Sequence, residues 1–243
     1  MRQSNAGLAI LLALGLVPSA AAQNGTQPPL QRIDRDRLCV TNGAVSALSG
    51  GRLSIETPSS RGFVQGSTAG AADQVAEIRF RYLGPTEDSK PLASGELRRQ
   101  IGLKLRAQDT CNLIYAMWRI EPEATIAVSI KRNVALHTHE QCGARGYINF
   151  KPQERTPLPI RPGEAHTLKA ELHGHDLMVT ADGTVAWQGS LGSAAALPVG
   201  PVGFRTDNAR FVLEYLADAP GALRRAPQGP TPSQTRCVIS EGD

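Results

Sequence analysis

Between Glu96 and Lys151, polar residues fall at every second position of three apolar segments, the spacing that collects side chains on one side of a strand. In Leu97–Arg106, the residues Ile101, Leu103 and Leu105 make one row, and Arg98, Gln100, Lys104 and Arg106 make the other. Tyr115 and Arg119 in the next segment, and Ser129 and Lys131 in the third, extend the polar row if the segments pair. Guanidinium, ammonium, amide and phenol groups on one surface suit an anionic polysaccharide, held by charge-assisted hydrogen bonds and by stacking of sugar on ring. An ordinary solvated sheet face has the same spacing, so these residue types mark a candidate ligand surface and name no reaction.

Other chemistry has thinner support. All five histidines lie from His137 to His175, and His137-x-His139 and His173-x-His175 would each set two imidazoles on one face of a strand, as metal sites do. Only Glu140 offers a further nearby ligand, and solvated turn histidines fit the pattern better. Around Thr206-Asp207-Asn208, between Arg205 and Arg210, a tight connection is expected in which Asp and Asn cap their own backbone. Such oxygens also suit calcium, the one metal left open; without an Asp-rich loop no cofactor is expected. No Ser-His-Asp arrangement, phosphate loop or nucleotide fingerprint stands out. Trp118 and Trp187 are expected in the core, with Val185 and Trp187 sharing one face of a strand.

The elements that must position these groups are strands. From Leu38 onward, short apolar stretches are broken by Gly, Pro, Asn and Asp, the signature of an all-β domain. The predicted strands are Leu38–Thr41, Arg52–Glu56, Gly62–Gln65, Gln74–Tyr82, Leu97–Arg106, Asn112–Ile120, Thr125–Lys131, His166–His173, Asp176–Ala181, Thr184–Gln188, Gly200–Arg205 and Arg210–Leu216. Asp182-Gly183, between two alternating segments, predicts a two-residue hairpin turn. Phe150 to Glu164 holds four prolines and reads as a long connection, since Pro lacks a ladder donor. About a dozen short strands without helix must pack as two sheets or close into a barrel, so a two-sheet antiparallel sandwich with little helix is expected.

Residues 1–22 read as a secretory signal peptide, with Arg2, the apolar run Leu8–Val17 and Ala20-Ala21-Ala22 before Gln23. The run is too short to span a bilayer comfortably, so no membrane span is expected after cleavage. Residues 23–37 are expected as a flexible leader, 38–218 as the sandwich, and 219–243 as a Pro/Gly-rich tail tied back by Cys237. A secreted or periplasmic location makes the four cysteines two disulfides. Three pairings are possible. Cys111–Cys142 with Cys39–Cys237 is favoured, the first closing a local strand pair and the second joining the ends of the domain. A net charge of +4 is too small to argue for nucleic acid, and a monomer is expected.

His166 to Asp218, HTLKAELHGHDLMVTADGTVAWQGS and then LPVGPVGFRTDNARFVLEYLAD, resembles the closing strands of the concanavalin A-like lectin/glucanase superfamily. It is most similar to laminin-G-like modules and the 3-keto-disaccharide hydrolase type of domain, in which a strand, a turn with Asp-Gly, a return strand and a Gly-x-x-Gly-Phe/Leu-Arg strand follow in this order. The resemblance implies a jelly roll whose concave face meets glycans. The Glu-x-Asp-x-x-Glu and Glu-x-Asp-x-Glu motifs of the laminarinase-type hydrolases are absent, and Glu121-Pro122-Glu123 falls at an expected turn. Arg98, Gln100, His137 or His139, and Tyr147 also resemble the set with which alginate-lyase-type jelly rolls neutralise a uronate and abstract a proton, though order and spacing depart from that family. The expectation is a secreted, non-catalytic module binding a glycan or cell-envelope polysaccharide. The alternatives are a lyase or glycoside hydrolase using Arg98, Gln100, His139 and Tyr147, and a protein-interaction module with a wide, flat face.

Overall fold

The computed structural model describes residues 29–65, 73–151, 159–196 and 198–218. In chain order its strands are β1 (Gln31–Arg32), β2 (Leu38–Asn42), β3 (Ser46–Leu48), β4 (Arg52–Ile55), β5 (Ser59–Val64), β6 (Asp73–Pro85), β7 (Arg99–Leu105) and β8 (Leu113–Glu121). There follow β9 (Thr125–Lys131), β10 (Tyr147–Phe150), β11 (Ala165–His173), β12 (Asp176–Ala181), β13 (Thr184–Ser190), β14 (Gly203–Asp207) and β15 (Ala209–Ala217). A single turn of helix, α1 (His139–Cys142), precedes β10. The strands form two antiparallel sheets: β13-β12-β11-β6-β15-β4-β3, with β1 also on β15, and β10-β9-β8-β7-β14-β5-β2.

Alternation decides which face each strand buries. Ile78, Phe80 and Tyr82 of β6 and Phe211, Leu213 and Tyr215 of β15 point inward from the first sheet; Ile101, Leu103 and Leu105 of β7 and Ile114, Ala116 and Trp118 of β8 meet them from the second. Phe80 lies edge-on to Trp118 (centroids 5.8 Å apart, planes at 89°) and to Phe211 (5.6 Å, 87°). Each such pair contributes about 0.5–1.5 kcal/mol beyond its burial; Phe80–Trp118 joins the two sheets, and Phe80–Phe211 joins neighbouring strands of the first. The Asp182-Gly183 turn joins β12 to β13 with both residues at positive φ, as the dipeptide predicts.

Four features depart from expectation. β1, β3 and β10 arise where no strand was predicted; each is short and at or beside a sheet edge, so burial imposes little pattern on it. In the stretch expected as a leader, Gln31 and Arg32 pair with Ala217 and Leu216, and Ile33 is fully buried, so the sandwich takes up the chain before Leu38. Val185 and Trp187 do not share a face: β12 and β13 slip by one residue at Ala186, leaving Val185 exposed and Trp187 in the core. Arg106 leaves the polar row of β7, as described below. The expected signal peptide, most of the leader, the tail and Cys237 lie outside the described residues. No helix among the described residues is long and apolar enough to cross a membrane.

Candidate functional site

The residues of the second sheet that face away from the core floor a groove of about 1220 Å³. Period two puts Tyr115, Met117 and Arg119 of β8 there, opposite in parity to the buried Trp118, and the antiparallel register sets Gln100 of β7 beside Arg119, Ser129 of β9 beside Tyr115, and Lys131 beside both Leu113 and Tyr147. From the other side β14 adds Arg205 and Asp207, and β5 adds Arg61.

Two loops wall the groove, and each is clamped. The loop before β7 brings Lys90, Glu96 and Arg98 to one side. Asn208, in the left-handed region at φ 52°, holds that loop: its Oδ1 accepts from Lys90 N at 2.7 Å, and its Nδ2 donates to the carbonyls of Lys90 (2.8 Å) and Arg98 (3.0 Å). The loop between β9 and β10 carries α1 and presents His139 to the groove. Asn112 Nδ2 donates to Leu136 O at 2.9 Å, and Asn133 Nδ2 to Cys111 O at 3.2 Å. The Cys111–Cys142 disulfide, formed as expected, bolts α1 to the start of β8.

A buried ion network fixes the floor. Asp207 accepts from Gln100 Nε2 at 2.6 Å and from Arg205 Nε and Nη2 at 2.7 and 3.3 Å, with Arg61 at 4.0 Å. Burial alone would raise the pKa of Asp207, but the charges of Arg205 and Arg61 and the hydrogen bonds from Arg205 and Gln100 hold it below the ordinary carboxylate value. Burial likewise opposes the charge on Arg205; the attraction of Asp207 outweighs it and holds this guanidinium well above its ordinary pKa. Arg205 lies over the ring of Tyr115 at 5.5 Å, Tyr115 stacks on Tyr147 (6.2 Å, planes at 22°), and Lys131 stands 5.5 Å from the Tyr147 centroid. Tyr147 is 36% exposed and forms the open face of this stack.

The expected surface residues Arg98, Gln100, Tyr115, Arg119 and Lys131 all line the groove. Lys104 has the right parity but is buried, its ammonium 5.9 Å from the ring of Phe63, and is not in the lining. Arg106 turns away because its backbone is left-handed at φ 45°; its guanidinium donates to Ala195 O at 2.5 Å and Gly174 O at 2.8 Å, so it ties the segment after β13 to the β11–β12 turn instead of facing the groove. The His137/His139 pair is split, with His137 Nδ1 2.8 Å from Asp109 Oδ2 and only His139 in the groove. Reasoning from the sequence missed Arg61, Arg205 and Asp207 as groove members and Asn208 as the loop clamp. Their strands lie far along the chain from β7 and β8, and the order of strands in the sheet, which brings them together, has no local signal.

Arg98, Gln100, His139 and Tyr147 all line the same groove. In the frame of β8, Gln100 sits opposite Arg119 and Tyr147 two strands over from Leu113, six residues away. That is a backbone offset of roughly 20 Å along the strand, which the side chains of Tyr115, Arg205 and Asp207 bridge in sequence from Tyr147 to Gln100. Calcium does not fit the Thr206-Asp207-Asn208 turn, since the Asp207 carboxylate is engaged by arginines and Gln100, and the Asn208 oxygen by Lys90. No cluster of three or more His, Cys, Asp or Glu suited to a metal occurs among the described residues.

No protein-family model and no curated protein matches the chain in sequence. Solved structures do match in shape. The carbohydrate-binding module CBM66 from Bacillus subtilis is similar with a TM-score of 0.51 at 14% identity, over 73% of this chain and 91% of that one. The carbohydrate recognition domain of Emp46p in its metal-free form has a TM-score of 0.48 at 12% identity over 75% and 88%. Alginate lyase A1-II' has a TM-score of 0.40 at 10% identity over 72% and 81%. With its two antiparallel sheets packed on one core, the chain has the concanavalin A-like jelly-roll fold.

Proposed function

We infer that this protein binds a glycan in the groove on the second sheet, as an exported module without catalysis of its own. The observation that carries the reading is the groove itself: an open Tyr147 ring backed by Tyr115 at one end, guanidinium groups at the other, and walls held by Asn208 and a disulfide. Rigid aromatic platforms with fixed polar groups are what a sugar needs, a flat apolar face for stacking and donors for its hydroxyls. Similarity in fold to a carbohydrate-binding module agrees with this, and the six-residue offset along β8 between the backbone positions of Gln100 and Tyr147 supports binding without a lyase reaction. A clefted face also favours a polymer strand over a flat protein partner. Residues 1–22, read as a signal peptide, support export, and the monomeric state is part of the same proposal.

The test is native electrophoresis through gels cast with a panel of polysaccharides, followed by staining of the same gels for intact polymer. Retardation without clearing is the expected result, and it identifies the polymer. Replacing Tyr147 with Ala is expected to weaken retardation by about fivefold, equivalent to about 1 kcal/mol of lost stacking, with only a small fall in melting temperature from its contacts with Tyr115 and Lys131. Cleared tracks would overturn the non-catalytic reading, and no retardation in any gel would overturn the glycan reading altogether.

A further inference from the structure

Cys39 lies in β2, at the edge of the second sheet, and it faces the groove side of that sheet, because its neighbours Leu38 and Val40 both pack into the core. Register carries its row across the sheet. Cys39 stands opposite Phe63 on β5, Phe63 opposite Gly203 on β14, Gly203 opposite Lys104 on β7, and Lys104 opposite Tyr115 on β8, which lines the groove. Neither Cys39 nor Phe63 belongs to the core packed between the sheets, and neither they nor Lys104 line the groove. All three are nonetheless shut off from solvent, Cys39 at 2% exposed, Phe63 at 4% and Lys104 at 2%. This half of the open face is covered.

The chain carries a segment long enough to do it. Cys39 is disulfide-bonded, and with Cys111 joined to Cys142 the one cysteine left for it is Cys237. Cys237 comes 19 residues after Asp218, a reach of up to roughly 60 Å. The direct path is much shorter: Ala217 pairs with Gln31, and the eight residues from Gln31 to Cys39, which include a 3₁₀ turn, keep the two ends within roughly 30 Å. About half of the segment is therefore surplus, and its far end is fixed on the groove side of β2. Four prolines in residues 219–236 stop it from adding a strand to the sheet, and Leu223 is its one large apolar side chain, too little for a core of its own.

What the cover hides repeats the chemistry of the open end. The Lys104 ammonium stands 5.9 Å from the ring of Phe63, as that of Lys131 stands 5.5 Å from the ring of Tyr147. We propose that residues 219–236, held by a Cys39–Cys237 bridge, form a strap over a second stacking platform, Phe63 with Lys104, and that opening the strap extends the glycan site from Tyr115 and Tyr147 toward β5. The platform rests on the groove being the glycan site; the strap does not.

Two measurements on the unaltered protein come first, peptide mapping without reduction and acetylation of lysines read by mass spectrometry. A linked Cys39–Cys237 peptide and a Lys104 that resists the reagent are expected. In Cys39→Ala/Cys237→Ala, Lys104 is expected to be acetylated roughly tenfold faster. Retardation by the polymer that holds the unaltered protein is expected to strengthen about fivefold, the effect of one more stacked ring, and adding Phe63→Ala is expected to cancel the gain. A protease site inserted after Gly229, cut only once the protein has folded, gives the same readouts if the double variant does not fold. Absence of the linked peptide, a reactive Lys104 in the unaltered protein, or a Lys104 still protected after release overturns the strap. A reactive Lys104 without stronger retardation overturns the second platform and leaves the glycan reading standing. Retardation of neither form by any polymer overturns the glycan reading and the platform with it, and the acetylation result alone then decides the strap.

Discussion

Asp207 is the residue on which the groove floor depends, because it is the one carboxylate shared by Gln100, Arg205 and Arg61. Removing it leaves Arg205 buried without its counter-charge, so Asp207→Ala is expected to destabilise the fold by about 3–5 kcal/mol in urea denaturation. Its folded pKa lies below the unfolded one, so the network's stability is present at neutral pH and is lost as the pH falls through that depressed value. Asp218 works in the opposite sense. Burial, opposed by backbone hydrogen bonds and helped by Asp73, raises its pKa from 3.8 to about 6. As the pH climbs from about 4 to about 6 the unfolded chain gives up this proton before the folded one does, so stability falls across that window and stays lower above it. Asp218→Asn is therefore expected to gain about 1 kcal/mol at pH 8, a figure reduced for partial solvent screening, and nothing at pH 4; melting curves at the two pH values check it. Of these residues, only the neighbours Gln100 and Arg119 were legible as a surface. Strict alternation carried them, whereas Asp207, a residue in an expected turn, shows its role only once β14 lies beside β7.

At the scale of elements, the predictable strands are those whose inner rows are long and apolar, such as β6, β8 and β15. β10 was illegible for a physical reason: it is a four-residue edge strand, paired on one side only, and it runs into the proline-rich connection. It nonetheless brings Tyr147 to the site, and it does so because the loop before it is pinned. The Cys111–Cys142 bridge closes a separation of 31 residues, so replacing both cysteines with Ser is expected to cost about 3–4 kcal/mol in the chain-entropy account. Glycan retardation is expected to fall more than global unfolding explains, since α1 and His139 are released along with Tyr147. Comparing retardation and melting for the double variant separates local loosening from loss of fold. Gly102 sets a second limit on the floor: a Cβ there would stand 2.5 Å from both Ala116 O and Met117 Sδ, so β7 and β8 approach as closely as they do only because this position lacks a side chain.

The described residues form two sheets around one main core, and that core begins earlier in the chain than composition suggests. Ile33 is buried inside it and β1 adds to the edge of β15, although the polar, proline-bearing run around them reads as a leader. A chain begun at Gln23, the expected product of signal cleavage, is therefore expected to melt like the full chain. One begun at Leu38 is expected to lose about 2–5 kcal/mol, the penalty of an emptied Ile site together with an unpaired strand. Calorimetry on the two truncations decides the boundary. The division of aromatic residues between the two faces of the second sheet has a practical corollary. Trp118 and Trp187 are both interior, whereas Tyr115 and Tyr147 stand in the groove, so occupancy leaves indole fluorescence unmoved and registers instead in the near-ultraviolet absorbance of the tyrosines. A titration followed by emission alone would score a saturated protein as empty.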